Sequence, residues 1–306
     1  MDKLFIEDLE LSGKRVLLRV DFNVPLKNGK VEDDTRIRET LPTINKIISS
    51  GGIPVIISHL GRPKGKKDSS LSLKPVAEHL EKLLGRKVTF LTNCVGEYVE
   101  KSVKNGKSGD VFLLENLRFY KEEEENAPEF AKALASLADL YINDAFATAH
   151  RAHASTVGVT KFFKQNAAGY LMAKEIESLS TILEKPPKPF VAIIGGAKIS
   201  TKLPILKNLL KKVDKLLIGG GLSYTFFKAL GVEIGKSICE DEQLNNASEI
   251  LQSPYADKKI VLPIDVVVTD SIDSPKIIEN VSWDAIPANL ESVDIGKKTR
   301  ELYTYE

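Results

Sequence analysis

Cysteine is scarce in this 306-residue chain, which carries only Cys94 and Cys239, far apart. Two such residues make neither a disulfide framework nor a thiolate metal cluster, and no protein-held metal is expected. Both read as buried small hydrophobes, with a reactive thiol left open. No apolar run is long enough to span a bilayer, so no membrane partner is expected. The start MDKLFIEDLELSGK lacks the basic opening and small-residue cleavage site of a secretory signal, and a cytoplasmic location is the expectation. Excess charge of either sign is also missing. The 43 basic and 42 acidic side chains leave a net charge of +1, which gives no global attraction to nucleic acid. An anionic ligand would have to be held by local clusters. Internal repeats, low-complexity tracts and long flexible linkers are absent as well.

What is present is ordinary for a folded globular chain, with 42% hydrophobic and 28% charged residues. At about 150 residues per domain the length favours two domains. The first half alternates β-rich runs with amphipathic stretches: RVLLRVDF, the stripe Ile37, Leu41, Ile44 and Ile48, IPVIISHL, then the stripe from Leu73 through Leu84. KVTFL, DVFLLENL and DLYINDAF add three strands, with AKALASLA as a helix between the last two. Strand, helix, strand, helix is the pattern of a parallel sheet covered on both faces. The acidic run Glu122 to Glu125 reads as a solvated helix start with no ligand role.

A long helical stretch, AGYLMAKEIESLSTILE, runs into Pro186, Pro187 and Pro189, which cannot continue a helix. The expected division is therefore a domain over 1–167, an interdomain helix over 168–185 and a second domain over 186–306. The second half resumes the alternation with FVAIIGG, the stripe Leu203, Leu206, Leu210 and Val213, KLLIGGGL and KIVLPIDVVVTD, and stops at KKTRELYTYE, the opening of a helix. The fold class expected is α/β, with two doubly wound, parallel-sheet, Rossmann-like domains. The second is expected to be incomplete, with about three strands where such sheets usually carry more. Met172 and Trp283 read as packing residues.

Open parallel sheets bind ligands at the carboxyl ends of their strands, so the residues just past each apolar run carry the information. In the first half these are Asp21 and Asn23, then His59 and Arg62, then Arg118, then His150, Arg151 and His153, with Arg36 opening the helix after the first strand. One arginine at a strand end is ordinarily a surface ion-pair partner, but several at successive strand ends point to a shared anionic ligand. Asp21 and Asn23 serve equally as turn caps, and His59 alone fits a satisfied buried histidine as well as a ligand contact. In the second half, IIGGAK and LLIGGG place Gly195, Gly196, Ala197 and Lys198, and Gly219 to Gly221, where backbone can approach a nucleotide. Neither matches a Walker or dinucleotide pattern, and both are compatible with plain strand-to-helix turns.

Together RVDFNVP, DDTRIR, SHLGRP, ENLRF, NDAFATAHRAHAST, IIGGAKISTK, IGGGLSYTFFKA and LPIDVVV closely resemble the phosphoglycerate kinase family, in its order and over essentially the whole chain. The resemblance implies two domains joined by a hinge helix and a monomer. The implied reaction is reversible phosphoryl transfer between the acyl phosphate of 1,3-bisphosphoglycerate and ADP, giving 3-phosphoglycerate and ATP, with Mg2+ carried on the nucleotide. By motif match it implies that Asp21, Asn23, Arg36, His59, Arg62, Arg118 and Arg151 contact the triose acid, with Asp21 and Asn23 on its hydroxyl. Lys198 and Lys202 correspond to phosphate-binding lysines, and Gly196, Ala197, Gly220 and Gly221 to nucleotide-facing backbone. Arg36 and Lys198 are the implied catalytic pair.

The family pattern continues past Glu306 with a WNGP-like segment, an acidic residue near the adenosine, a GGGDS/T-like loop and a segment returning to the first domain. It also usually has proline after the glycine of DIG, where this chain has Lys297. An unpaired strand edge and exposed apolar surface are expected in the second sheet. The alternative function is a non-catalytic 3-phosphoglycerate-binding module.

Overall fold

A computed structural model describes residues 3–306. They form two compact units, the first ending at Ser180 and the second running Thr181–Glu306.

The first unit contains, in order, β1 (Leu4–Phe5), β2 (Arg15–Arg19), the short hairpin β3 (Leu26–Lys27) and β4 (Lys30–Val31), α1 (Thr35–Ser49), β5 (Ile53–Ile57), α2 (Lys74–Leu84) and β6 (Val88–Leu91). It continues through α3 (Glu97–Lys104), β7 (Val111–Leu114), α4 (Lys121–Glu124), α5 (Pro128–Ala135), β8 (Leu140–Asn143), α6 (Phe146–Ala149), β9 (Asn166–Ala168) and α7 (Tyr170–Glu184). Seven strands make one parallel sheet in the order β1-β9-β8-β2-β5-β7-β6. Strand alternation buries both faces. Val16, Leu18 and Val20 pack with Ile37, Ile44 and Ile47 of α1, while Leu17, Val55 and Ile57 enter a second core with Leu114 and Tyr141. Removing a fully buried side chain such as Leu17 would cost about 2–5 kcal/mol. From β2 the chain builds outward through β5 and later returns to the other side with β8, so the strand order reverses at β2. Crevices of open α/β sheets form at such a reversal.

The structure adds what the sequence reading left out: the edge strand β1, its inner neighbour β9, and helix α3 between β6 and β7. It also corrects the acidic run. Glu122 is half-buried and Glu124 and Glu125 are exposed, but Glu123 is fully buried because Ser155, 32 residues away, folds over it and donates from both Oγ and N.

In the second unit β10 (Val191–Ile194), α8 (Leu203–Leu209), β11 (Lys215–Ile218), α9 (Gly221–Ala229), α10 (Leu244–Leu251), α11 (Ala256–Lys259) and β12 (Ile260–Val261) form a second α/β layer, with a parallel sheet ordered β10-β11-β12. Then β13 (Asp265–Thr269), β14 (Ile278–Ser282) and β15 (Glu291–Ile295) make a separate antiparallel sheet with β13 central, followed by α12 (Lys297–Tyr305). The stretch KIVLPIDVVVTD is thus two strands in two sheets, broken at Pro263, which has no N–H for a ladder. On the edge strand β10, Ile193 is 71% exposed.

Met172 is buried, and the Trp283 ring packs 5.2 Å from that of Phe227. Cys94 is buried and its thiol donates to Glu115 O, but Cys239 is only half-buried, a correction to its reading as a core residue. Helix α7 carries the chain across the division between the units. Among the described residues no helix is long and apolar enough to cross a membrane.

Candidate active site

At the carboxyl ends of β2, β5, β7 and β8 lies a cavity of about 270 Å³, lined by Asp21, Asn23, Arg36, His59, Gly61, Arg62, Arg118, Ala147, Thr148 and Arg151. Each comes from the loop after one of these strands, from α6, or from the first turn of α1. Among the lining residues four arginines face a single carboxylate, an excess of three positive charges if the histidine is neutral, with Glu124 outside the lining pairing with Arg118 at 3.4 Å.

The loops that carry these side chains are tied to one another. Asn23 Oδ1 accepts from Gly61 N at 2.9 Å, and Arg118 Nη1 donates to Gly61 O at 2.8 Å, so the two peptide groups flanking Gly61 are both held. Gly61 has φ +62°, a conformation that strains other residues, and a Cβ there would also come 2.8 Å from Leu71 Cδ2. Asn116, fully buried, bonds Leu60 N, Leu60 O and Leu71 O and accepts from Arg118 N, fixing the start of the Arg118 turn. Asp21 does cap a turn, accepting from Asn23 N at 3.2 Å, yet its other oxygen accepts from Arg36. The two readings of Asp21 are compatible.

His59 is buried, and its pKa is pushed down to about 2, first by burial and then by Arg19, Arg118 and Arg36. Its 3.8 Å approach to Asp21 is therefore not an ion pair. Burial also lowers the Arg118 pKa, with Arg151 and Arg19 adding to the effect and Glu124 opposing it. His150 and His153 do not line the cavity: His150 is exposed, and His153 is buried against Glu123. Sequence reasoning missed Thr148, Gly61 and, beneath the cavity, Arg19. The available signal for Arg19 was a charge closing the apolar run RVLLR.

In the second unit the loops after β10 and β11 pack backbone to backbone. Leu222 N donates to Gly196 O at 2.7 Å, and a Cβ at Gly220, where φ is +64°, would lie 3.2 Å from Gly196 N. A Cβ at Gly221 would stand 3.1 Å from Ala197 Cα. These glycines therefore let the two loops pack closely, whatever else they do. Lys198 is exposed, Lys202 is half-buried with its stem near Gly196, and among the described residues neither makes an ion pair. Glu240, also missed, fastens the loop by accepting from Ser200 N at 2.9 Å and Oγ at 2.6 Å. Those bonds hold its carboxyl below the usual range, with Lys198 contributing.

A cationic cavity at the reversal point of a parallel sheet suits a small anionic ligand. The sequence pattern of the family described as phosphoglycerate kinase matches residues 6–306. The phosphoglycerate kinase of Dictyoglomus turgidum is 55% identical over 306 residues, covering 99% of this chain and 76% of that protein. That of Chloroherpeton thalassium is 50% identical, covering 100% and 77%. Among solved structures, phosphoglycerate kinase from Coxiella burnetii matches with a TM-score of 0.83 at 44% identity, covering 99% of this chain and 77% of that one. The enzyme from Pyrococcus horikoshii matches with a TM-score of 0.81 at 32% identity, with the same coverage. The chain belongs to the phosphoglycerate kinase family, and phosphoglycerate kinase activity is its function.

Proposed function

We propose that the cavity of the first unit binds 3-phosphoglycerate and 1,3-bisphosphoglycerate through Asp21, Asn23, Arg36, His59, Arg62, Arg118 and Arg151, and that the glycine loops of the second unit bind ADP and ATP. The observation that carries the reading is convergence: all seven side chains line one cavity with a net excess of positive charge. A phosphate monoester brings a charge of about −1.5 to −2 at neutral pH and a carboxylate one more, which matches that excess. Asp21 and Asn23 supply acceptors and an amide for the ligand's hydroxyl. Gly196, Ala197, Gly220 and Gly221 would face the nucleotide, with Lys198 and Lys202 on its phosphates.

The nucleophile is the ligand's own carboxylate, whose reference pKa of roughly 3.5 leaves it ionised at neutral pH, so no side chain has to act as general base. Catalysis then reduces to positioning and charge neutralisation. Arg36 of the first unit and Lys198 of the second are the cations assigned to the equatorial oxygens of the migrating phosphoryl group, a role worth about 10³ to 10⁵ in rate where an arginine finger fills it. Helix α7, which connects the units, is the proposed hinge.

Mg2+ keeps most of its shell as water and phosphate oxygen, and so travels on the nucleotide, where it supplies charge neutralisation. The enzyme is expected in the cytoplasm and as a monomer; sedimentation of the purified chain checks the second.

Calorimetric titration with 3-phosphoglycerate, paired with a coupled ADP-formation assay, tests the reading. Binding that weakens as salt is raised, together with turnover, is expected. Binding without turnover would restore the binding-module alternative, which the family comparisons do not favour. Absence of binding would remove the cavity's assignment.

A further inference from the structure

Arg19, the last residue of β2, is only 1% exposed, and a guanidinium cannot shed its charge. Its partners therefore have to account for it. Nε donates to Ser155 Oγ at 2.9 Å, and Ser155 in turn donates to Glu123 through Oγ at 2.6 Å and N at 3.0 Å. Glu123 is fully buried, so a sheltered anion sits one hydroxyl away from the sheltered cation. Of the two terminal nitrogens, Nη1 donates to Val20 O and Nη2 lies 3.3 Å from His59 Nδ1.

That last contact has a chemical consequence, because arginine has donors only. His59 Nδ1 must be the acceptor, and the single proton of the neutral ring then belongs to Nε2. The groups facing the ring are Arg19, Asp21, Arg36, Arg118 and His153. Asp21 Oδ1, at 3.8 Å from Nδ1, is outside hydrogen-bond reach and does not draw a proton to that side. The ring lines the cavity, and Nε2 has no hydrogen-bond partner among the described residues.

We propose that Arg19 is a positioning residue. Anchored by Ser155 and Glu123, it holds His59 as the Nε2–H tautomer, so that the cavity offers its anionic ligand an uncharged, directionally fixed donor beside the arginines. The proposal rests on the reading of this cavity as the 3-phosphoglycerate site. Exposed arginine side chains attract any polyanion, whereas a donor of fixed direction favours a ligand whose acceptor lies along it. Such a contact is made equally in ground and transition states, so its loss is read in KM.

The test is nitrogen-15 NMR of the full, ligand-free chain, using long-range imidazole correlations. The chain has 4 histidines, and His59→Gln assigns the relevant one. The expected pattern is an unprotonated Nδ1 and a protonated Nε2 at neutral pH. Arg19→Lys keeps the charge, but one ammonium cannot serve Ser155 and His59 together. It should give a mixed tautomer signal and raise KM for 3-phosphoglycerate about tenfold, with kcat changed less than about threefold. If that variant does not fold, Ser155→Ala, which removes the Nε anchor, should move both readouts in the same direction by less. An Nδ1–H tautomer or a charged ring in the wild-type protein overturns the proposal, as does a folded variant that shifts neither tautomer nor KM. An Nε2–H ring in a chain that binds no 3-phosphoglycerate supports Arg19's control of the ring and overturns the assignment of the cavity.

Discussion

Arg36 Nη1 donates to Asp21 Oδ2 across 2.5 Å, tying the first turn of α1 to the loop that follows β2. The arginine side chain is half exposed and the carboxylate is sheltered, so Asp21 orients a guanidinium whose remaining donors stay open to a ligand.

Arg36→Ala should therefore damage the chemical step far more than ground-state binding. Turnover is expected to fall by about 10³ or more, while 3-phosphoglycerate affinity falls by about tenfold. A coupled assay and calorimetry on the same preparation separate the two. A variant with full turnover would take the charge-neutralising role away from Arg36.

Arg151 is exposed and, among the described residues, has no ion-pair partner to lose. Arg151→Ala should cost about 1.5–3 kcal/mol of 3-phosphoglycerate affinity, roughly 10- to 150-fold, and flatten its dependence on salt. Unchanged affinity across a salt series would place Arg151 outside the anion's reach.

His59 gives stability a pH dependence of definite sign. Its folded pKa, about 2, lies below the ordinary 6.5 of the unfolded chain. The unfolded state therefore binds the extra proton first. This contribution is intact above about 6.5 and is lost as pH falls from there, by up to about 1.4 kcal/mol per pH unit. Urea midpoints measured from neutral to mildly acidic pH should fall more steeply for the wild type than for His59→Gln. Equal slopes would mean that the ring titrates normally in the folded protein.

Gly220→Ala tests the second unit. The substitution meets a positive φ and a 3.2 Å approach to Gly196 N, which together cost about 1–2 kcal/mol and push the two glycine loops apart. Nucleotide KM should rise several-fold while calorimetric binding of 3-phosphoglycerate stays as it was. Loss of both, or of neither, would count against a nucleotide site on these loops.

How much could be read in advance differs between elements for physical reasons. Arg62, Arg118 and Arg151 were legible because each lies shortly beyond an apolar run, and Arg36 because it opens the helix after the first strand; a parallel sheet brings the ends of its strands together at one edge. Glu123 was not legible, since nothing local separates it from Glu122, Glu124 and Glu125, and its burial depends on Ser155, distant in sequence. Arg19 was hidden by the opposite cause: the three residues before it, Val16 to Leu18, are core residues, and its partner His59 lies 40 positions on. The β13 sheet was obscured because Ile260 to Thr269 is nearly continuous in hydrophobicity, and only Pro263 marks the change of partners. The glycine loops were visible as glycine, but their mutual packing required both to be seen at once.

Residues lining the cavity are spread from position 21 to position 151. No short fragment of the chain carries the site, and it comes into being only when four strands have found their neighbours. Substrate occupancy should then act as a brake on unfolding: a ligand at a hundred times its Kd adds about 2.7 kcal/mol to the state that holds it. On this reading the first unit resists proteolysis in proportion to the metabolite it serves, so supply of the substrate also sets the lifetime of the catalyst.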